Sequence, residues 1–176
     1  MKFAKRQFAA ASLLLVLISA CSHTREVKTQ AYAQLQDHKT FEYDFPAVWK
    51  GIETAMQAYK ITDRDPNKVD AIEMRKLDKR TLGTDWIYGR STTKYVEYKV
   101  NGFPRTQYLQ TRIQYKVTAK SVMGGVEVDV QANEEIEKLK DDGSSAGYQS
   151  ADEPESSRAN DVLEKINLSI LAAPNT

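Results

Sequence analysis

The fold of this chain depends first on residues 109–118, which read LQTRIQYKVT. Apolar and β-branched side chains alternate there with polar ones, the two-residue period of a strand with one buried and one exposed face. The turn pair Asn101-Gly102 precedes this stretch, and Gly124-Gly125 follows it. Both pairs favour tight turns between antiparallel strands. The stretch is therefore predicted to be a central strand of an antiparallel meander.

Neighbouring segments extend this meander to four to six strands. Residues 95–100 (YVEYKV) and 126–131 (VEVDVQ) show the same alternation on either side of the central stretch. Further towards the N-terminus, Phe41–Phe45 alternates aromatic with acidic residues, and Val69–Leu77 follows a turn at Pro66-Asn67-Lys68. Both of these segments are predicted to be strands as well.

Two segments carry apolar side chains at the three- and four-residue spacing of an amphipathic helix. The first begins at Pro46, since proline is well tolerated in the first helical turn, and runs for about 14 residues. The two apolar stripes comprise Trp49, Ile52, Met56 and Tyr59 in the first segment, and Ala159, Val162, Leu163, Ile166 and Ile170 in the second. Strands flanked by helices predict a single α+β domain over residues 41–172, with both helices packed on one face of the sheet.

Residues 141–157 differ from these segments in composition. They combine glycine, serine, aspartate and glutamate with hardly any apolar side chains. Such a segment buries too little apolar surface to offset the entropy lost on ordering. This acidic, serine-rich segment is therefore predicted to be a mobile loop of the domain.

The first 20 residues have the parts of an export signal. The start, MKFAKR, is positively charged, and residues 8–20 form an apolar stretch that is too short to span a bilayer as a helix. The stretch leads into Leu17-Ile18-Ser19-Ala20-Cys21, which resembles the lipobox of bacterial lipoproteins. Residues 1–20 are therefore predicted to be a lipoprotein signal peptide.

The lipobox resemblance implies cleavage before Cys21, a diacylglyceryl thioether on its side chain and an acyl chain on its new amino group. Two or more acyl chains anchor a protein stably, whereas one chain binds a membrane only marginally. Ser22 at the next position implies sorting to the outer membrane. Because the chain has 1 cysteine, no internal disulfide is expected. No cofactor other than the acyl chains is predicted.

Residues 21–40 are polar and lack a clear apolar period. They are predicted to be a flexible tether between the lipid and the domain, with a reach of about 65 Å when fully extended. In the alternative interpretation, Ala31–Leu35 forms a turn of helix that packs on the domain.

The order of these features resembles BamC-like helix-grip domains of outer-membrane lipoproteins. The resemblance lies in the lipobox, the polar tether, Phe45-Pro46-Ala47-Val48-Trp49 at the start of the helix, and Ile61-Thr62-Asp63-Arg64-Asp65 before the next turn. It implies a helix-grip fold and a role as an accessory lipoprotein in an envelope complex. BamC has two such domains, whereas this chain has room for one.

Histidine, the usual general base and metal ligand near neutral pH, occurs only at His23 and His38, both in the predicted tether. A catalytic triad or a histidine metal site is therefore not expected. A carboxylate-dependent hydrolase is a third alternative, and it would need two acidic residues that converge in a cleft. The sequence favours a protein that is not an enzyme.

Asp63, Asp65 and Asn67 have the opening spacing of the oxygen ligands in a calcium loop. Lys68 and Met74 stand where such a loop needs glycine and glutamate. Aspartate and asparagine are also common turn residues, so a tight turn without a metal is predicted.

Charge is unevenly distributed along the chain. Basic residues outnumber acidic ones between Arg75 and Lys120, and the balance reverses between Glu127 and Glu164. One interpretation is a patch for an anionic partner, formed by Lys94, Lys99, Arg112 and Lys116. In the other interpretation, which the pattern favours, basic strands pair across the sheet with acidic residues such as Glu127 and Asp129.

Aromatic residues crowd the same region. An exposed subset would form a binding surface, and the candidates are Trp86, Tyr88, Tyr95 and Tyr98. Tyrosine is also a favoured strand residue, so half of such side chains are expected to face the core. Nucleic acid is not expected as a partner, because the chain is predicted to be exported and its net charge is only +1.

These features together predict a lipid-anchored binding protein of the outer membrane that faces the periplasm and has an envelope protein as partner. The alternative is a carrier that holds a lipid or another apolar ligand between helix and sheet. A filled interior beside the Trp49 helix favours the binding protein, and an apolar cavity favours the carrier.

Overall fold

A computed structural model describes residues 26–29 and 33–172 of the chain. Cys21 and the predicted signal peptide lie outside these residues. The described part has three helices, α1 (Phe45–Met56), α2 (Ala71–Met74) and α3 (Ser156–Leu171). Its eight strands are β1 (Lys28–Thr29), β2 (His38–Phe41), β3 (Ile61–Asp65), β4 (Lys79–Thr84), β5 (Ile87–Val100), β6 (Phe103–Val122), β7 (Gly125–Leu139) and β8 (Ser145–Ser150). None of the described helices is long and apolar enough to cross a membrane.

The sheet is organised around β6, which is 20 residues long. One edge of β6 pairs with β5 and, further along, with β4, while the other edge pairs with β7. Strand β7 carries β2 and β8 along its outer edge, and β3 and β1 extend the sheet from β4 and β5. All these pairs are antiparallel, and the sheet curls into a half-barrel. The predicted α+β domain is confirmed, with eight described strands rather than four to six.

The alternation that predicts β6 corresponds to its two faces. Leu109, Ile113 and Val117 are buried, whereas Gln110 and Lys116 between them are exposed. Ile113 and Val117 belong to the core that includes the helices, while Leu109 packs with Val96 and Ile136 in a second, smaller cluster. We call the side of the sheet that carries the even-numbered residues of β6 its outward face. One face of the strand is therefore dry and the other wet, as expected.

Helix α1 begins where Asp44 caps it, because the Asp44 carboxylate accepts a hydrogen bond of 3.0 Å from the backbone N–H of Ala47. Pro46 occupies the first turn, as predicted. Trp49, Ile52 and Met56 are each at most 1% exposed. The helix is 12 residues long, slightly shorter than predicted, so Tyr59 of the predicted stripe lies beyond its end and is only partly buried.

Helix α3 buries all five residues of its predicted stripe. It packs against α1 at Gly51, where an added Cβ atom would lie 2.4 Å from Cγ1 of Ile170. A glycine at this position therefore allows the two helices to approach closely. Both helices share one core with Val117 and Val128 of the sheet.

The interior between the helices and the sheet is filled by side chains. From the sheet, Leu82, Val117 and Val128 are 0% exposed, and from α3 so is Ile166. Such close packing is the usual state of a protein core.

Two strand predictions were wrong. Phe41–Phe45 is not a strand, because β2 ends at Phe41 and α1 begins at Phe45. Val69–Leu77 is not a strand either. Helix α2 lies there, because the Asp70 carboxylate accepts a hydrogen bond of 2.7 Å from the backbone N–H of Glu73, while the Glu73 carboxylate accepts one of 3.3 Å from the backbone N–H of Asp70. These reciprocal bonds form a capping box, which favours a helical turn. The returning strand is β4, which begins at Lys79.

The segment 141–157, predicted to be a loop, contains strand β8 and the first residues of α3. Tyr148 of β8 lies opposite Glu137 of β7, and Ser150 lies opposite Glu135. Backbone pairing with β7 thus orders a segment that has little apolar surface of its own. The prediction of a loop was wrong for residues 145–150.

Part of the predicted tether, residues 21–40, also lies against the domain. Strand β1 pairs with β5, and β2 begins at His38. Between them the backbone N–H of Leu35 donates a hydrogen bond of 3.2 Å to Oγ of Ser156. Residues 33–37 are not helical, and residues 30–32 lie outside the described part of the chain. Strand β1, Leu35 and strand β2 therefore contact the domain, although all three lie within the segment predicted to be a free tether.

Candidate interaction surface

Arg112 lies at the centre of an aromatic cluster on the outward face of the sheet. In the strand register it lies opposite Tyr88 of β5 on one side and Glu135 of β7 on the other. Its guanidinium group forms an ion pair of 2.6 Å with Oε2 of Glu135. The hydrogen bond from Arg112 to Glu135 also raises the pKa of the guanidinium above its ordinary value.

Two aromatic rings enclose the same guanidinium group. Its central carbon lies 4.4 Å from the ring centre of Trp86 and 5.0 Å from that of Tyr148. Tyr148 also contacts Tyr88, with 6.2 Å between ring centres and an edge-to-face angle of 70°. We call Trp86, Tyr88, Arg112, Glu135 and Tyr148 the Arg112 cluster.

The geometry of the Arg112 cluster suits recognition of another protein. Cation–π contacts and the ion pair hold Arg112 in place, so little side-chain entropy remains to be lost on binding. Tyr88 lies beside this fixed arginine side chain and is 66% exposed. Tyrosine, tryptophan and arginine are the residues most enriched at interface hot spots. Because Glu135 neutralises Arg112, the surface suits a mixed apolar and polar partner better than an anionic one.

The four predicted cations do not form one patch. Lys99 lies opposite Pro104 near the start of β6, whereas Lys116 is twelve residues further along that strand, about 40 Å away at the usual rise per residue. The ammonium group of Lys94 donates a hydrogen bond of 3.1 Å to the backbone carbonyl of Glu153. The cross-strand interpretation fits the structure better, since Arg112 is paired with Glu135.

The same interpretation applies to the other end of the sheet. Lys120 lies opposite Glu127, and Thr118 lies opposite Asp129. Glu127 thus lies opposite a basic residue of β6, whereas Asp129 does not and has His38 of β2 on its other side.

The predicted aromatic residues divide between two places. Trp86 and Tyr88 belong to the Arg112 cluster, while Tyr95 lies further along β5 and contacts Tyr108 with 5.7 Å between ring centres. Tyr98 is partly buried, and strand alternation places it on the face opposite to Tyr95. The predicted aromatic surface is thus two outward pairs rather than one continuous patch.

A second polar site lies where β5 bulges. The register passes from Arg90 opposite Gln110 to Tyr95 opposite Tyr108, so four residues of β5 match one of β6. Such a bulge turns backbone and side-chain donors away from the ladder. Here they surround the carboxylate of Glu155, the residue that precedes α3.

The donors to Glu155 are consecutive along β5. The backbone N–H and hydroxyl of Thr92 donate hydrogen bonds of 2.8 and 2.7 Å, and the hydroxyl of Thr93 donates one of 3.0 Å. The Ser91 hydroxyl also donates to this carboxylate, and Nε of Arg158 lies 3.3 Å from it. We call these five residues the Glu155 latch, because they join the start of α3 to β5.

Glu134 is buried beside this latch. One of its carboxylate oxygens accepts a hydrogen bond of 2.9 Å from the backbone N–H of Glu155, and the other, Oε1, has no hydrogen-bond partner among the described residues. Burial raises the pKa of Glu134 above its ordinary value. Burial also acts to raise the pKa of Glu155, but hydrogen bonds from Ser91 and Thr92 outweigh it and leave that pKa lowered.

Glu134 and Glu155 are neighbours, because the Glu134 carboxylate accepts a hydrogen bond from the backbone N–H of Glu155, but Glu155 is not among the residues that line the groove beside Glu134. Glu134 lines a groove of about 360 Å³ together with Trp86 and Asn133. The oxygens of Glu155, however, are occupied by donors of the strand. This arrangement gives Glu155 a structural role at the start of α3.

The sequence patterns did not mark Tyr148 and Glu155 as site residues, whereas Glu134 belongs to an acidic cluster with Glu135 and Glu137 that the sequence shows. Tyr148 and Glu155 lie in the segment predicted to be a loop, and no local pattern marks either one. Ser91-Thr92-Thr93 supplies three successive hydroxyl donors, but no sequence pattern links them to Glu155.

No protein-family model matches this sequence, and no curated protein matches it. Within residues 26–29 and 33–172, no group of three or more histidine, cysteine, aspartate or glutamate side chains is arranged to hold a metal ion.

Proposed function

We propose that this protein is a lipid-anchored accessory lipoprotein of the outer membrane, facing the periplasm, that binds an envelope protein through the Arg112 cluster. The observation that carries the proposal is the cluster itself, a rigid aromatic and arginine surface on the side of the sheet away from the helices. We propose further that the domain has the helix-grip arrangement, with α1 and α3 against one face of the curled sheet.

The packed interior supports a binding protein rather than a carrier. An apolar ligand between helix and sheet would need the space that Trp49, Ile52 and Leu163 occupy, and each of these is at most 1% exposed. The surface left for recognition is the outward face, where Tyr88 and Tyr108 are exposed.

The path of the N-terminal segment supports a short tether. Lys28 pairs with Tyr95, and Cys21 lies seven residues before Lys28. Those seven residues span at most about 25 Å. A lipid on Cys21 would thus hold β5 near the membrane and raise the effective concentration of the domain for partners there.

A photoreactive benzoylphenylalanine placed at Tyr88 tests the binding surface in living cells. We expect it to form a covalent adduct with one discrete envelope protein, because the Arg112 cluster would lie in the interface. The matched control is Ile72, which is 69% exposed on α2 and lies outside the cluster. An adduct that survives Trp86→Ala, or equal adducts from both positions, would contradict the proposal.

The anchor is tested by Cys21→Ala in the full chain. We expect the wild-type protein to be recovered in the outer-membrane fraction, with acyl chains on its N-terminal peptide by mass spectrometry. Cys21→Ala should lack that modification and leave the outer-membrane fraction, whereas Ser22→Ala should behave as wild type. An unmodified wild-type Cys21 would refute the anchor.

A further inference from the structure

The β5–β6 hairpin extends beyond the rest of the sheet as an arm. Strand β7 pairs with β6 only from Thr111 onwards, and β1 pairs with β5 only at Lys94 and Tyr95, so beyond Tyr95 and Tyr108 the hairpin is two-stranded among the described strands. The arm ends in a tight turn in which Asn101 and Gly102 have φ angles of 52° and 83°. A two-stranded arm of this kind is marginal in water unless something covers it.

The tip of the arm exposes apolar side chains between cations. Phe103 is 69% exposed and Val100 is 44% exposed, and the two residues form the last pair of the hairpin. Lys99 and Arg105 are exposed beside them. The sequence contains no aspartate or glutamate between residues 98 and 126. The tip is therefore apolar and locally cationic.

The N-terminal segment places this tip close to the predicted lipid. Lys28 pairs with Tyr95, and the turn at Asn101 lies six residues beyond Tyr95, about 20 Å along the strand. Cys21 can extend about 25 Å from Lys28. Both the lipid and the tip can therefore reach one membrane surface.

We propose that the tip of the β5–β6 hairpin is a second membrane contact, which inserts Phe103 and Val100 into an anionic lipid surface. Lys99 and Arg105 would lie at the level of the lipid phosphates, which attract basic side chains next to a membrane. The proposal rests on the lipid anchor of the proposed function. A tip contact would orient the domain, since an acyl anchor alone leaves it free to rotate.

The first experiment labels the tip in the lipidated full chain. Phe103→Cys and Met123→Cys each carry an environment-sensitive fluorophore, in vesicles of phosphatidylcholine with phosphatidylglycerol. Met123 is a matched control, because it is fully exposed in the next hairpin turn. We expect blue-shifted emission and quenching by lipid-borne quenchers only at position 103. Equal quenching at both positions, or none at 103, would overturn the proposal.

The second experiment separates the tip from the anchor. A chain that starts at Ser22 keeps every core residue, since the core lies between Phe41 and Ile170. In sedimentation with the same vesicles, Phe103→Ser should reduce binding about tenfold, because a buried Phe side chain contributes at least that much, while Met123→Ser should not change it. Removing the anionic lipid should weaken binding of the wild type.

The outcomes distinguish the two proposals. If Cys21 carries no lipid but the chain from Ser22 still binds anionic vesicles through Phe103, the anchor fails and the tip contact stands. If the anchor is present but Phe103→Ser binds as well as wild type, the tip contact is refuted. A response at position 103 that requires an added envelope protein would assign the tip to a protein partner and also refute it.

Discussion

Gly125→Ala is expected to lower the free energy of unfolding by about 4 kcal/mol. Gly125 begins β7 directly against β2, and a Cβ atom there would lie 2.1 Å from the backbone carbonyl oxygen of Phe41. Its φ of +153° is also a conformation that side chains rarely adopt. Because the obstacle is backbone, no side-chain rotation relieves it, and β2 would have to separate from β7. Urea unfolding followed by circular dichroism measures the effect.

The adjacent glycine provides a matched control. Gly124 has a φ of +93° but nothing within 4 Å of an added Cβ atom. Gly124→Ala should therefore cost only the conformational strain, about 1 kcal/mol. Equal losses for the two variants would mean that the close approach of β2 to β7 does not contribute, and that the fold tolerates movement at this edge.

Glu155→Gln is expected to lower the free energy of unfolding at neutral pH by about 3 kcal/mol. The Glu155 carboxylate accepts hydrogen bonds from Thr92 and Thr93 and pairs with Arg158. An amide would present N–H groups to some of these donors and would leave Arg158 without its charge partner. Chemical denaturation at pH 7 measures the change, and hydrogen exchange should show opening at the start of α3.

The lowered pKa of Glu155 determines how the stability difference between wild type and Glu155→Gln changes with pH. The pKa of Glu155 is lowered in the folded protein, so its stabilisation is present above the ordinary glutamate pKa and is lost as the pH falls through the folded value. The difference between wild type and Glu155→Gln should therefore shrink in acid. Persistence of the full difference at a pH where Glu155 is protonated would show that its charge is not what matters.

Glu134→Gln is a control, because its expected effect on stability at pH 7 is opposite to that of Glu155→Gln. Burial raises the pKa of Glu134, so its ionised form is the costly one in the folded state. We expect this variant to be at least as stable as wild type at pH 7, with its advantage fading as the pH falls and Glu134 becomes protonated. A loss of stability like that of Glu155→Gln would mean that the two carboxylates act as one unit.

The proposed membrane contact and the proposed protein contact lie at different positions along β6. Phe103 at the tip and Arg112 in the cluster are nine residues apart, which corresponds to about 30 Å along the strand. With the tip on the membrane, the Arg112 cluster would face a partner at roughly that distance from the lipid surface. The anchor, the arm and the cluster would together set the position and the orientation of the partner.

The local elements of this fold are predictable from sequence because their patterns are local. The alternation in residues 109–118 indicates which side of β6 is buried, and Asn101-Gly102 marks its preceding turn. Helix α3 buries its whole predicted stripe, since helical periodicity depends only on neighbouring residues. The resemblance to a lipobox is equally local, and the lipid on Cys21 stays a prediction because Cys21 lies outside the described residues.

Contacts between segments distant in the chain decided most of the features that local sequence patterns do not predict. Strand β8 has almost no apolar surface, and it is ordered because β7 offers an unpaired edge. Helix α2 is the exception, because the capping box that favours it over the predicted strand joins Asp70 and Glu73, which are only three residues apart. The Arg112 cluster joins β5, β6, β7 and β8, and the Glu155 latch joins β5 to α3.

By itself, the sequence determined the class of the fold, the dry and wet faces of its central strand, and the expectation of a lipid on Cys21. The tertiary structure alone decided that Arg112 is held by Trp86, Glu135 and Tyr148, instead of joining the other basic residues in a patch. The physical reason is that charge pairing and ring contacts depend on strand register, which is set by backbone hydrogen bonds between segments distant in the chain.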